Sequence, residues 1–205
     1  MKIKFFTLLY SLLILSFVGC APFSKKVTLN DHTYLNSESI NKLNGTYEIN
    51  ASKIIYKSSR DNKTKIFEND SVDKYYNLFH FVKTENQELR ADSIKNLIKK
   101  YDVRIEVLDK KKISFSLLKN NLKVDSSIVN YKIKNDGYIY LKNKNFKSNW
   151  VPILCGNFSI NRTRLSLNNE NSLILNNSNY FHGAILVIIG DSRSFKFEGR
   201  YNRKK

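Results

Sequence analysis

Cysteine, proline, glycine and histidine are all scarce in this chain of 205 residues, which contains 2 Cys, 2 Pro, 7 Gly and 3 His. Two cysteines, at positions 20 and 155, cannot build the disulfide framework that stabilises many small secreted domains, so the fold must rest on an apolar core. The low Gly and Pro content excludes collagen-like and low-complexity chains. Hydrophobic residues make up 41% of the chain and aromatic residues 13%, which is enough apolar material to argue against wholesale disorder.

The sequence also lacks the short motifs of common enzymes and metal sites. The histidines, at positions 32, 80 and 182, are far apart, and no His-x-x-x-His or Cys-x-x-Cys spacing is present. No Gly-x-Ser-x-Gly elbow and no glycine-rich phosphate loop occurs. Cys155 follows the apolar stretch Val151-Pro152-Ile153-Leu154, which favours a buried small hydrophobic residue over a nucleophile. We therefore expect no cofactor and no catalysis; a hydrolase whose site assembles only in space is the alternative.

Acidic residues are outnumbered by basic ones, 18 against 35, which gives a formal charge of +17. Such an excess favours acidic partners such as anionic lipid headgroups, lipopolysaccharide or nucleic acid. The basic residues are nevertheless spread along the whole chain, and their longest clusters are Lys110–Lys112 and Arg203–Lys205. This spread indicates solvated strand faces, and the predicted export described next argues against nucleic acid as a partner.

Residues 1–19 have the pattern of a secretory signal peptide. Lys2 and Lys4 form a short basic region, and residues 5–18 are uncharged and mostly apolar. A basic flank followed by a short apolar run and a small residue is typical of a cleaved signal. An uncleaved anchor helix is the alternative, because the uncharged stretch reaches Phe23 and approaches the length of a membrane span. Both interpretations place the domain outside the cytoplasm.

Phe17-Val18-Gly19-Cys20 resembles the bacterial lipobox, in which a small residue precedes a cysteine that becomes lipidated. Val18, Gly19 and Cys20 match, whereas Phe17 stands where Leu is usual. The resemblance implies a lipoprotein that begins at Cys20 and is held to a membrane by acyl chains such as palmitate. Several acyl chains on one residue anchor stably, since a single chain binds only marginally. Ala21 is not the Asp of the enterobacterial inner-membrane signal, so the resemblance favours the outer membrane of the cell envelope.

The rest of the chain divides into a tether and one domain. Residues 20–42 are mostly polar, with Ser, Asn and Lys, and predict a flexible tether. Residues 43–205 contain no evident boundary and predict a single domain. From Val103 onward, apolar and polar residues alternate, as at Val103, Ile105 and Val107, which predicts strands.

Turn residues separate these alternating stretches. Asp136-Gly137 predicts a hairpin, and residues 58–70 predict a loop. Short strands are expected at 45–49, 54–57, 103–107, 113–117, 129–133, 138–142, 146–151, 158–160, 164–167, 173–175 and 195–201. Many short antiparallel strands favour an all-β fold, either an up-and-down barrel or, alternatively, a β-sandwich.

A helical period interrupts the strands between residues 72 and 101. Apolar residues recur every three or four positions and predict a short helix over 72–82, with Asp70 or Ser71 as its cap; they are Val72, Tyr75, Tyr76, Phe79 and Val82. A weaker helix is predicted from Leu89 to Tyr101.

Leu43-Asn44-Gly45-Thr46-Tyr47 resembles the opening of lipocalin-like lipoproteins of Gram-negative bacteria, whose first barrel strand carries Gly-x-Trp or Gly-x-Tyr. Gly45 and Tyr47 stand at the motif positions, and Tyr replaces the more familiar Trp. The resemblance implies an up-and-down barrel with one or two short helices after the first strand. It also implies that a basic residue of the last strand packs over the motif aromatic, and Arg200 is our candidate.

The first functional hypothesis is that the barrel binds or carries a small apolar or amphipathic ligand. An eight-stranded barrel is just wide enough for one such molecule. The expected lining comprises Tyr131, Ile133, Phe195 and Phe197, with Tyr76 and Phe79 at a lid. In a small barrel the same side chains can simply fill the core. The alternative is a structural or interaction lipoprotein that binds an envelope protein or peptidoglycan and has no ligand cavity.

Overall fold

The structure is a computed structural model that describes residues 23, 31–60, 62–68, 77–83, 101–143, 145–151, 155–185 and 189–204. Within β9 to β12 it describes only the backbone at 145–147, 150, 151, 155, 184, 185 and 189. The predicted signal peptide, Cys20, Tyr76 and most of the predicted second helix therefore lie outside the described residues.

The described chain is almost entirely β-strand. Its strands are β1 His32–Thr33, β2 Gly45–Glu48, β3 Lys53–Ser58, β4 Thr64–Glu68, β5 Tyr101–Val107, β6 Lys112–Lys119, β7 Leu122–Ile133, β8 Ile139–Leu141, β9 Asn145–Val151, β10 Cys155–Asn168, β11 Leu173–Ile185 and β12 Ile189–Tyr201. A 3₁₀ helix spans Ile40–Leu43, and the α-helix α1 spans Leu78–Val82. The predicted all-β class is confirmed.

Every described pairing in the sheet is antiparallel, and the order is β2-β5-β6-β7-β8-β10-β11-β12-β3-β4. β1 and β9 also pair with β10. Consecutive strands are neighbours along most of this order, as in a meander. The exceptions are the pairings of β2 with β5, of β8 with β10, and of the last strand, β12, with the early strand β3.

Residues 45–48 have backbone partners on both of their edges. β2 pairs with β5 on one side. On the other side, Tyr47 forms a β-bridge with Arg203, and the amide of Glu48 donates to the carbonyl of Asn202. These contacts place β2 beside the residues that follow β12, whereas closure as a complete barrel stays a prediction.

The predicted Asp-Gly hairpin is confirmed, and it joins β7 to β8. Gly137 has φ of 76°, and a Cβ atom at this position would lie 2.6 Å from Cδ2 of Tyr34. Only glycine fits such a turn without strain and without a clash. At the β6–β7 turn, Asn120 and Asn121 both adopt positive φ, the conformation that a type I′ hairpin requires.

Of the helix predicted over residues 72–82, the described part forms α1, and residues 72–76 lie outside the described residues. The side chain of Asn77 caps α1 by accepting a hydrogen bond from the amide of His80 at 2.7 Å, because an Asn at this position satisfies an amide that has no partner within the helix. The caps predicted at Asp70 and Ser71 lie outside the described residues.

The folded domain begins earlier than residue 43, so the predicted tether boundary is wrong. β1 pairs with β10, and Leu35, Ile40 and Leu43 are buried. Apolar positions in this segment are few and irregularly spaced, so the sequence pattern does not reveal that they pack against the sheet.

Two predictions about the strands are also wrong. Residues 58–70 include β4, which is largely exposed and pairs with β3 at the edge of the sheet. The short strands predicted at 158–160, 164–167, 173–175 and 195–201 belong to three long strands, β10 to β12, of 13 or 14 residues. Polar residues at inward positions interrupted the alternation there, although the backbone pairing continues.

Candidate functional site

The three long strands β10, β11 and β12 carry the candidate sites, one on each face. Side chains alternate between the two faces along a strand. We call the face that carries Leu165, Leu175 and Tyr201 the inner face, because these residues belong to the hydrophobic core. The outer face carries the intervening positions, including Arg164, Asn176 and Glu198. Both faces change character along the strands.

Toward one end of these strands, the inner face lines an open cleft of about 540 Å³ rather than a packed core. Its aromatic walls are Tyr56, Phe81, Phe181, Phe195 and Phe197. Phe81 stacks on Phe197 with ring centroids 4.8 Å apart, and Tyr56 stacks on Phe195 at 6.1 Å. We call this site the aromatic cleft. Its volume falls within the range of about 300–1,000 Å³ that is usual for small-molecule sites.

A few polar groups interrupt the aromatic walls of this cleft. They are Ser159, Asn177, Asn179 and Arg193. The amide nitrogen of Asn177 donates to Oδ1 of Asn161 at 2.6 Å and to Oγ1 of Thr163 at 3.1 Å. At the rim, the Arg193 guanidinium pairs with the Asp191 carboxylate at 2.6 Å. A mostly apolar lining with a few fixed polar groups suits an amphipathic molecule.

Helix α1 is fastened beside the cleft through its last carbonyl groups. The Phe81 carbonyl accepts from Nδ2 of Asn143 at 2.8 Å and lies 3.5 Å from Oγ1 of Thr163, and the Val82 carbonyl accepts from the Ser127 hydroxyl at 3.2 Å. These carbonyls have no partner within a helix that ends here. The strands therefore supply the hydrogen bonds that hold Phe81 against the cleft.

The structure brings together some of the predicted lining residues and not others. Phe195 and Phe197 line the aromatic cleft, whereas Tyr131, Ile133 and Phe79 do not. Phe79 is fully buried in the core, and the Tyr131 hydroxyl donates to the carbonyl of Asp109 at 2.9 Å. Ile133 packs against the same core, so these three residues fill the interior, and Tyr76 lies outside the described residues.

A basic side chain packs over Tyr47, the aromatic residue of the first-strand motif, but it is not the predicted Arg200. The guanidinium of Arg203, not of Arg200, lies 5.8 Å from the ring centroid of Tyr47. Arg203 also donates to the carbonyls of Lys42 and Asn44 at the end of the 3₁₀ helix. A Cβ atom on Gly45 would come within 2.7 Å of this guanidinium, which explains why glycine stands there.

Arg200 is wrong for this role because of strand alternation. It follows Gly199 and precedes Tyr201 on β12, so its side chain points to the outer face. There it forms two hydrogen bonds of 3.0 Å with the carboxylate of Asp31. Arg203 lies two residues beyond the inward Tyr201, and this spacing is the sequence signal that identifies it.

Burial raises the pKa of two tyrosine phenols in the core. Desolvation raises the pKa of Tyr47 from 10.0 to about 12, and the nearby Arg203 charge opposes this rise. Desolvation also raises the pKa of Tyr201 strongly. The Tyr47 hydroxyl donates to the carbonyl of Leu43 at 2.9 Å, so both the strand and the preceding 3₁₀ helix depend on a neutral phenol.

The outer face carries a buried polar cluster that the sequence patterns do not predict. The Arg164 guanidinium lies 3.8 Å above the Tyr138 ring, and its Nε donates to Oδ1 of Asn176 at 3.1 Å. Nδ2 of Asn176 in turn donates to Oε2 of Glu198 at 2.9 Å. No motif connects these residues along the chain. Their positions in register, Arg164 with Asn176 and Asn176 with Glu198, bring them together.

Within the described ranges, no group of three or more His, Cys, Asp or Glu side chains is placed to hold a metal ion. The Cys155 side chain is outside the described set. In the same described part of the chain, no helix is both long enough and apolar enough to span a membrane.

Comparisons with protein-family models, curated proteins and solved structures give no match.

Proposed function

We propose that this protein is a lipid-anchored lipoprotein of the bacterial cell envelope that binds a small apolar or amphipathic ligand in the aromatic cleft. The observation that carries the proposal is the change along the inner face of β10 to β12, from packed aliphatic side chains to an open cleft with stacked aromatic walls. A concave site with mostly aromatic walls and a few fixed polar groups is the usual form of a small-molecule site.

The proposal includes a lipocalin-like barrel anchored through Cys20, with the outer membrane as the favoured location. The contacts of Tyr47, Glu48 and Thr46 with residues 202–204 support closure of the sheet. The arrangement of Gly45, Tyr47 and Arg203 supports the resemblance on which the lipocalin-like assignment rests. The lipobox pattern at Val18-Gly19-Cys20 supports the anchor.

Ligand binding is tested first on the protein purified from membranes in mild detergent. Mass spectrometry of an organic extract should identify a stoichiometric lipid or other amphiphile. After its removal, titration with a fluorescent long-chain fatty acid should give saturable binding. An empty extract together with no saturable binding would remove this function and favour the alternative of a purely structural or interaction lipoprotein.

Phe181→Ala tests whether the cleft is the binding site. Loss of one aromatic wall should weaken fatty-acid binding about tenfold, which corresponds to about 1.4 kcal/mol and is the scale of a partly buried aromatic ring. Phe158→Ala is the matched control, because Phe158 lies on β10 but on the outer face, beside Tyr180 and His182. Equal effects of the two substitutions would count against the cleft.

The anchor is tested separately. Mass spectrometry of the N-terminal peptide should show an acylated Cys20, and Cys20→Ser should move the protein from the membrane fraction to the soluble fraction. An unmodified N-terminus would exclude the anchor and leave the ligand site untouched.

A further inference from the structure

A second cavity, of about 300 Å³, lies on the outer face, and its lining is basic. Its charged residues are Lys57, Arg164, Lys196 and Glu198, so three cations and one carboxylate give a formal charge of +2. Phe23 and Asn176 also contribute to the wall. We call this site the basic cavity. It shares strands β11 and β12 with the aromatic cleft.

The two lysines stand directly opposite each other. Lys57 on β3 and Lys196 on β12 are register partners in an antiparallel ladder, so their side chains leave the same face side by side. Like charges at such positions are destabilising. Among the described residues, none forms a hydrogen bond or an ion pair with the side chain of either lysine. An anion between the two ammonium groups would relieve this repulsion.

The back of the cavity consists of buried polar groups that are linked by hydrogen bonds. Arg164, whose side chain is 7% exposed, stacks on Tyr138 and is held by Asn176. Asn176 also holds the Glu198 carboxylate. Arg164 also lies 3.7 Å from the Asp136 carboxylate, so its charge is compensated, and the excess positive charge belongs to Lys57 and Lys196 at the front.

Phe23, three residues after Cys20, lies beside this cavity. The ring of Phe23 lies 4.7 Å from Cζ of Arg164 and 5.4 Å from the ring of Tyr140. Farther along, Asp31 pairs with Arg200, and β1 pairs with β10. Cys20 precedes Phe23 by three residues, which span at most about 11 Å. A lipid on Cys20 would therefore enter the membrane close to the basic cavity.

We propose that the basic cavity binds a phosphate group through Lys57 and Lys196, and that this phosphate belongs to the headgroup of an anionic lipid next to the anchor. Lysine ammonium groups bind phosphate as point charges. Hydroxyl side chains at the cavity wall can donate hydrogen bonds to its oxygens; these are Ser59, Thr64 and Ser194. The headgroup assignment rests on the proposed anchor, whereas the phosphate site does not.

The test uses the full mature protein in a neutral detergent. Calorimetric titration with inorganic phosphate should show saturable binding, and a short-chain phosphatidylglycerol should bind more tightly than inorganic phosphate. The Lys57→Ser/Lys196→Ser double variant should bind both about tenfold more weakly, about 1.4 kcal/mol. Lys123→Ser, at an exposed position of β7, is the control and should bind like the wild type.

A thermal-melt measurement distinguishes loss of phosphate binding from misfolding of the variants. Without phosphate, Lys196→Ser should melt at or above the wild-type temperature, because it removes a like-charge pair. Phosphate should raise the wild-type midpoint and leave that of the double variant unchanged, as expected for a ligand that binds the native state.

Absence of saturable binding of either probe to the wild type would overturn the proposal. Equal affinity for phosphate and for the short-chain lipid would overturn the headgroup assignment and assign a soluble phosphate compound instead. Phe181→Ala should leave phosphate binding intact, so failure of the aromatic cleft as a site and failure of the basic cavity can be distinguished. Phosphate binding by the Cys20→Ser variant would likewise show that the phosphate site does not depend on the lipid anchor.

Discussion

The two ends of β10, β11 and β12 differ in what their inward side chains do. At one end, which we call the packed end, Leu165, Leu175 and Tyr201 are fully buried and pack into one core. At the open end, Asn179, Phe181 and Phe195 are only partly buried and border the aromatic cleft. The backbone ladder is continuous from one end to the other. Strand pairing therefore persists where core packing stops, and the inward positions released from packing are available to bind.

The contrast predicts, first, very different costs for truncating one side chain at each end. Leu175→Ala should lower the free energy of unfolding by about 2–5 kcal/mol, because it leaves a cavity among fully buried neighbours. Phe195→Ala should lower it by less than about 1 kcal/mol, because it enlarges an existing cleft. Urea unfolding followed by circular dichroism measures both. Equal losses would mean that the cleft is as tightly packed as the core.

Alkaline pH should lower the free energy of unfolding through Tyr47, a buried tyrosine at the packed end. The folded-state pKa of Tyr47 is raised to about 12 from 10.0, so its stabilising contribution is complete below pH 10 and is lost as the pH rises to 12. The loss is at most about 2.7 kcal/mol, at 1.36 kcal/mol for each pH unit.

Tyr47→Phe separates this effect from general alkaline damage. The variant should be about 1 kcal/mol less stable at neutral pH, because the hydrogen bond to Leu43 is lost. It should then lose less stability than the wild type between pH 10 and 12. Tyr34→Phe, which removes an exposed hydroxyl, is the control. A slope unchanged by Tyr47→Phe would show that burial of this phenol does not set the alkaline limit.

The smallest expected effect concerns the fastening of α1 beside the cleft. Ser127→Ala removes the hydrogen bond to the Val82 carbonyl and should cost about 0.5–1.5 kcal/mol locally. Hydrogen exchange of the amide of Lys83, which donates to the Phe79 carbonyl, should accelerate, and fatty acid should dissociate faster from the cleft.

Ser114→Ala, at a buried serine of β6, provides the comparison for that measurement. It should leave both rates unchanged. If the two serine variants behaved alike, the helix would not be held through Ser127, and α1 would have no special link to the open end.

Prediction from sequence succeeded where packing is regular. Alternation at Val103 and Ile105, and the Asp136-Gly137 turn, identified strands and a hairpin because inward positions there are uniformly apolar. It failed at the open end, where Asn161, Asn177 and Asn179 occupy inward positions and made long strands look like short ones. Places where a sequence departs from a simple pattern are often functional, and here the departure coincides with the aromatic cleft.

The candidate site was predicted only in part. Phe195 and Phe197 were identified because they lie on one face of a clearly alternating strand. Phe81 and Phe181 were missed, because one lies on a helix and the other follows a run of polar residues. Arg200 was predicted to pack over Tyr47, although the two-residue period places its side chain on the outer face.

The sequence by itself determined the all-β class, the Asp136-Gly137 turn and the alternation that defines an inner and an outer face, because these depend on local backbone preferences and a period of two residues. Only the tertiary structure decided which inward aromatic rings pack and which line a cleft. It also placed Lys57 opposite Lys196 and Arg164 opposite Asn176, since register between strands sets those neighbours. Local patterns carry no information about such pairings, which form only when the whole sheet assembles.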